Sequence, residues 1–386
     1  MYELAPSVYF EVSNDNPKYC SENGCLIDKE TSTLIWATVG AVVPDDGSVT
    51  KIGKHAFENH EEIVCLNIPN TIIEIAEAAF YNCKNLKNVI IPETVVKLGY
   101  RAFGNCRALS KVQLPDNGLS AIENYAFEGC SSLTNIDLPD SIICLGCGTF
   151  SGCTELESVK LPASISKLAN NLFSDCNNLA HITIPNSIKV IGEHTFQDCK
   201  KLTEINIPES VVEIGCGVFT GCESLSNVIL PNSIIEIGGG AFSRCKSLLN
   251  IRIPESVTFV NESMFCGCVA LETVELPLQI TKIGRWAFAG CEALTNIEIP
   301  ASLIKIGDHA FSHTGLTNLY IPETVKIIEA GAFANCGSLK EVYIPEKFYD
   351  DGKHIFGVNL IHEGDVILLE PVKEVEFSYG YGSLSF

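Results

Sequence analysis

The chain has 386 residues, 46% of them hydrophobic, enough for one large core or two ordinary ones. Its 47 acidic residues outnumber 26 Lys plus Arg, so the formal net charge is -21; with no basic patch against that background, nucleic acid and anionic membrane are poor partners. No stretch approaches the roughly 18 apolar residues of a spanning helix, yet mean hydropathy is +0.21, so many short apolar runs must be buried efficiently.

The first residues, MYELAPSVYFEVSNDNP, carry no basic segment and no long apolar run, so no signal peptide is expected in them. Residues 1–50 are expected to cap one end of the fold, with Leu34, Ile35, Trp36, Val42 and Val43 covering the first unit of a repeat that begins at residue 51.

From residue 51 to residue 345 one unit of 23 residues recurs about 13 times. Its clearest mark is a phenylalanine column that runs from Phe57 through Phe150, Phe173 and Phe196 to Phe333 and Phe356. Two steps depart from 23: Phe103 to Phe127 is 24, and Phe311 to Phe333 is 22. Prolines, leucines and cysteines keep the same register. Each unit holds a short alternating segment, such as Val89-Ile90-Ile91 or Ile182-Thr183-Ile184, that reads as a strand ended by proline. A second apolar pair comes next, as in Ile188 and Ile191, then a glycine expected to permit a turn. The segment before Phe is expected to be irregular or 3-10. One unit cannot bury its own apolar face, so the units must stack. At about 5 Å per strand, the rungs span roughly 60 Å.

Three cysteines crowd LPDSIICLGCGTFSGC, where Cys144 and Cys147 have zinc-like or redox-like spacing. Cys153 belongs to a column three residues after Phe, with Cys83, Cys106, Cys130 and seven others, and is expected to be a free, buried thiol. Cys144 and Cys147 fall where other units carry Glu, Lys or Arg, so surface thiols are expected. Cys216 is three rungs away, roughly 15 Å, too far to complete a metal site.

The pattern IPxSIxxIGxxAFxGCxxLxxI resembles the BspA-type leucine-rich repeat, also called the Treponema pallidum-type repeat. The early stretch with Asn16, Pro17, Tyr19, Ser21, Gly24 and Leu26 is similar to a variant unit of such proteins. The resemblance implies an α/β-type repeat fold: a right-handed, curved leucine-rich repeat solenoid with short parallel strands and irregular or 3-10 convex segments. It carries no catalytic residues, and it implies a surface or secreted protein of adhesion or protein interaction. Cytoplasmic scaffolding is the alternative if no leader precedes this chain. A monomer is expected, with weak self-association left open.

The outward strand residues of such a solenoid form its usual binding face. One column, eight residues after Phe (seven in the unit shortened by one residue), includes Asn88, His181, Asn296, Asn318 and Glu341. It reads either as surface filler with local hydrogen bonds or as a polar recognition stripe. The second column runs through Ile90, Ile229, Arg252, Glu275 and Glu298 to Tyr320 and Tyr343. Two tyrosines on adjacent strands beside carboxylates are candidates to anchor a protein or glycan; cross-strand aromatic packing is the other reading. The candidate residues are thus Tyr320, Tyr343, Glu298, Glu275, Arg252, Asn318, Asn296 and His181. No hydrolytic or redox constellation stands out, and neither a cofactor nor a metal is expected; His309 and His313 are the nearest approach to a metal pair. The Asn261 triplet N-E-S matches a glycosylation acceptor.

Residues 346–386 keep Phe356 in step but lose the repeat. They are expected to form a second cap or an attachment segment, with the tail SYGYGSLSF either docked or free.

Overall fold

The computed structural model describes residues 10–357 and the backbone of 367–368. The tail SYGYGSLSF and most of 358–386 lie outside the described residues.

The chain begins as an antiparallel meander of β1 (Tyr19–Glu22), β2 (Cys25–Asp28) and β3 (Thr33–Ala37). Asn23 and Gly24 close the first hairpin with φ of 48° and 79°, the left-handed pair that a two-residue turn requires. β3 then pairs in parallel with β4 (Lys51–Ile52), so the meander lies against the first rung through buried Cys25, Ile27, Leu34, Ala37 and Val43. Trp36 and Ile35 are half-buried. Val42 departs from expectation: it is 64% exposed. Its N–H is held by the Asn23 carbonyl at the hairpin tip, which leaves the side chain outside while Val43 turns in.

Most rungs contribute to two parallel ladders, and only one of them was expected. The three-residue strands, such as Asn88–Ile90, Lys111–Gln113 and Asn318–Tyr320, bury their central residue and expose both neighbours. The end of the second apolar pair, read as a lead-in to a turn, forms two-residue strands of its own with the residue before it: Glu74–Ile75, Lys97–Leu98, Ala121–Ile122 and Cys144–Leu145 run in register from β4. The three-residue ladder is broken into short sheets. Ile182–Ile184 and Ile297–Ile299 carry no strand pairing. Their side chains still alternate, with Ile184 buried and Thr183 exposed. Alternation decides which side chains face the core; it does not decide whether neighbouring backbones meet at hydrogen-bond distance.

The arc that carries Phe is a third ladder, and 3-10 helix is absent from it. Around Phe127, the N–H groups of Tyr125, Phe127 and Gly129 reach the next rung's carbonyls at Cys147, Thr149 and Ser151, at 2.8, 3.0 and 2.7 Å. The intervening N–H groups of Ala126, Glu128 and Cys130 turn back to carbonyls three residues earlier. Left-handed residues produce this alternation. From Phe57 to Phe333, the residues two before and two after Phe have positive φ in every rung, whether Gly148 or Tyr125, Gly129 or Asn105. Left-handed backbone costs an ordinary side chain about 1–2 kcal/mol; here it delivers a run of rung-to-rung hydrogen bonds. Helix among the described residues is confined to a 3-10 turn at Glu346–Phe348 and the helix Gly352–Phe356.

The phenylalanines form one continuous stack through the core. Phe57 and Phe80 lie 5.0 Å apart between centroids, Phe150 and Phe173 5.8 Å, and Phe333 meets Phe356 of the final helix at 5.7 Å. The cysteine column beside it is buried and free, as expected. It has a use beyond small size: each ladder thiol donates to the phenylalanine carbonyl of the preceding rung, from Cys83 to Phe57 at 3.1 Å to Cys336 to Phe311 at 3.0 Å. Where the column lacks cysteine it holds His60 and Thr314, both buried.

The glycine four residues before Phe has a different cause from the one expected. Gly146, Gly215 and Gly238 do not have positive φ. They lie so close to the preceding rung that a Cβ on Gly238 would sit 2.4 Å from the Cys216 backbone nitrogen. The left-handed Gly240, at φ 64°, has open space around its Cβ position, with Thr220 Oγ1 at 3.8 Å. Gly238→Ala should therefore destabilise more than Gly240→Ala, by about 1–3 kcal/mol against about 1 kcal/mol. Urea denaturation of both variants checks the order, and equal losses would contradict it.

Burial pushes the ladder thiols up, to about 12 at Cys153 and Cys268 and well above the ordinary value at Cys130, Cys176, Cys199, Cys245 and Cys291. The unfolded chain loses these protons near the ordinary value of about 8.5, while the folded chain keeps them. Stability is therefore whole below that pH and falls as pH rises toward the folded values, by up to about 1.4 kcal/mol per pH unit for each thiol. Thermal melts under reductant between about pH 8 and about pH 11 should drop steeply; a flat profile would be incompatible with a protonated ladder.

Candidate binding face

The three-residue strands set the geometry of the outward face. Because Leu319 and Val342 point into the core, their neighbours point out: Asn318 and Tyr320 on one strand, Glu341 and Tyr343 on the next. The parallel register places Tyr320 opposite Tyr343 and Asn318 opposite Glu341. The two rings stack with centroids 4.7 Å apart and planes 12° from parallel. Tyr320 remains 60% exposed, and Tyr343 is half-buried. Burial, with the Glu323 carboxylate adding to it, raises the Tyr343 phenol above its ordinary value.

Beside the stack lies a hollow of about 430 Å³ lined by Asn296, Ile297, Glu298, Ile299, Asn318, Leu319, Tyr320, Glu341 and Tyr343. It sits where the three-residue ladder is interrupted, since 296–299 carries no strand pairing. The next rung is the one shortened to 22 residues.

The eight candidate residues divide into three places. Asn296, Glu298, Asn318, Tyr320 and Tyr343 come together around the hollow. Glu275 does not join them: it sits opposite Arg252 on the neighbouring sheet, with Arg252 Nε 3.6 Å from its carboxylate. Arg252 in turn lines a separate groove of about 760 Å³ with Asn206, Asn227, Ile229 and Asn250. His181 is exposed on an unpaired rung, six rungs and roughly 30 Å from Tyr320 by strand spacing. Glu341 was not singled out, although its place in the asparagine column and the register opposite Asn318 put it at the hollow. Within that column, among the described residues, Asn135 alone makes a side-chain hydrogen bond, 3.2 Å to its neighbour Thr134.

The other motifs resolve locally. Cys144 and Cys216 are exposed and Cys147 is half-buried, as surface thiols should be. Asn261 turns its amide inward, donating to the Ile237 carbonyl at 2.6 Å, so the N-E-S pattern does not present a free acceptor. Among the described residues, no group of three or more His, Cys, Asp or Glu is placed to hold a metal ion, and no helix is long and apolar enough to cross a membrane.

A family model described as the BspA type leucine rich repeat region, in six copies, matches residues 50–180, 167–291 and 260–366. Among solved structures, the chain is similar to a leucine-rich repeat protein from Bacteroides ovatus: 29% identity, 94% of this chain and 100% of that one, TM-score 0.72. It is also similar to a leucine rich cell surface protein from Faecalibacterium prausnitzii: 26% identity, 89% of this chain and 99% of that one, TM-score 0.58. The leucine-rich repeat protein of Treponema pallidum is a distant neighbour, 25% identical over 60% of this chain and 78% of that one, TM-score 0.23. No curated protein sequence matches significantly.

Proposed function

The chain belongs to the BspA type leucine rich repeat family, and from that premise we propose that it is a non-enzymatic binding solenoid that engages a protein partner through its outward strand face. The observation that carries this reading is the exposed Tyr320–Tyr343 stack beside a polar-rimmed hollow. Tyrosine supplies large contact area at low conformational cost and is enriched at interface hot spots. Tyr320 and Tyr343 stand on paired strands, so their side chains are held before a partner arrives and little ordering entropy is lost on binding.

A place at the cell surface or in the secreted fraction, with a role in adhesion, is supported by likeness to the F. prausnitzii protein described as a cell surface protein. A second reading, an intracellular scaffold, is favoured by eighteen free cysteines, which suit a reducing compartment. Fractionation of native cells separates the two, and recovery in the surface or secreted fraction is expected.

Purified protein should capture a partner from host extracellular matrix or from neighbouring microbial cells. The double variant Tyr320→Ala/Tyr343→Ala should retain its melting behaviour and lose that capture. Unchanged capture by the double variant would remove the tyrosine stack as the binding site; capture of glycan in place of protein would overturn the choice of partner.

A further inference from the structure

The hollow beside the tyrosine stack has a chemical bias that its partner must match. Glu298 and Glu341 both line it and are exposed. Neither forms an ion pair among the described residues. Some carboxylates on nearby rungs are already paired: Glu275 lies against Arg252, half-buried Asp308 against Arg285 at 3.0 Å, and half-buried Glu329 against Lys305. The hollow's lining contains no Lys, Arg or His. Its remaining polar groups are the phenols of Tyr320 and Tyr343 and the side-chain amides of Asn296 and Asn318, whose oxygens accept hydrogen bonds. The stack leaves Tyr320 with most of its surface uncovered, and an open tyrosine face attracts cations.

We propose that this hollow receives an arginine or lysine side chain from a basic segment of the partner protein, an inference that rests on the reading of the strand face as a binding surface. The two carboxylates supply opposite charge, Tyr320 supplies a cation–π face, and Asn296 and Asn318 supply neutral acceptors to a guanidinium or ammonium. An acidic partner is repelled both here and by the chain's net charge of -21. A neutral sugar could use the carboxylates as hydrogen-bond acceptors but would leave their charge uncompensated, whereas a cationic side chain neutralises it. The same net charge steers a basic segment toward the protein from a distance and makes its association sensitive to salt.

The test uses the full chain and a fluorescein-labelled hexa-arginine peptide, followed by anisotropy, with a serine–glycine hexapeptide as the neutral comparator. Hexa-arginine should bind and the neutral peptide should not. Glu298→Gln/Glu341→Gln should weaken binding about fivefold to tenfold, and Tyr320→Ala should weaken it too. Glu213→Gln/Glu236→Gln, which removes the same charge from neighbouring rungs of the other ladder, should leave binding within about twofold. Glu298→Lys/Glu341→Lys should abolish hexa-arginine binding and admit a hexa-glutamate peptide. No binding of hexa-arginine, or equal losses in the two glutamine variants, would overturn the proposal and assign any attraction to bulk charge. If partner capture depends on the tyrosines while hexa-arginine binding ignores Glu298 and Glu341, the cationic occupant is wrong and the binding face stands. If neither depends on these residues, both fall.

Discussion

Everything in this molecule depends on one repeat distance. Each rung must lie about 5 Å from the next at every point of its perimeter at once. The phenylalanine rings impose that distance through the core, stacking 5.0 to 5.8 Å apart along the column. The backbone imposes it on both strand ladders and on the arc. Departures at one point are felt at the others, because a rung that tilts to relieve one contact loses several hydrogen bonds elsewhere. The glycines packed against the preceding rung, the left-handed pair flanking each phenylalanine and the thiol that satisfies the neighbouring carbonyl all serve that common spacing.

The cysteine ladder illustrates how a feature suggestive of chemistry becomes structural. A thiol is a small apolar group with one weak donor. Its position three residues after Phe puts that donor against the carbonyl of the previous Phe, as a second donor beside the N–H three residues further along that rung. Where the column changes, the replacements adapt: Thr314 turns its hydroxyl to the Phe311 carbonyl of its own rung at 2.8 Å and lies 3.2 Å from Cys336 Sγ. His60 takes the first position and packs edge-on against Phe57 and Trp36, joining rung and meander.

A scaffold this constrained leaves variation to the outward columns, and function arises from that division. On the strand face the backbone positions side chains without regard to their identity, so Asn, Glu, Arg or Tyr can be exchanged there at little cost to the core. The tyrosine stack, the two unpaired carboxylates and the hollow occur together near the C-terminal end of the solenoid, at an unpaired segment next to a shortened rung. Elsewhere on the same face, Arg252 and Glu275 have taken each other as partners.

Much of this was readable in the chain itself. The repeat length, the buried phenylalanine and cysteine columns, the outward columns and the adjacency of Tyr320 and Tyr343 all come from periodicity, because a residue's column determines its side of the rung. The separate fates of Cys144, Cys147 and Cys153 were legible in the same way. What periodicity leaves undecided is contact between rungs. It did not distinguish a second strand ladder from a lead-in to a turn, a glycine chosen for close approach from one chosen for φ, or a paired strand at Asn318–Tyr320 from an unpaired one at Ile182–Ile184. Nor did it separate Glu275, already paired, from Glu298 and Glu341, which are not. Each of those outcomes depends on distances of a few ångströms between residues about 23 positions apart, and such distances exist only once the rungs are stacked.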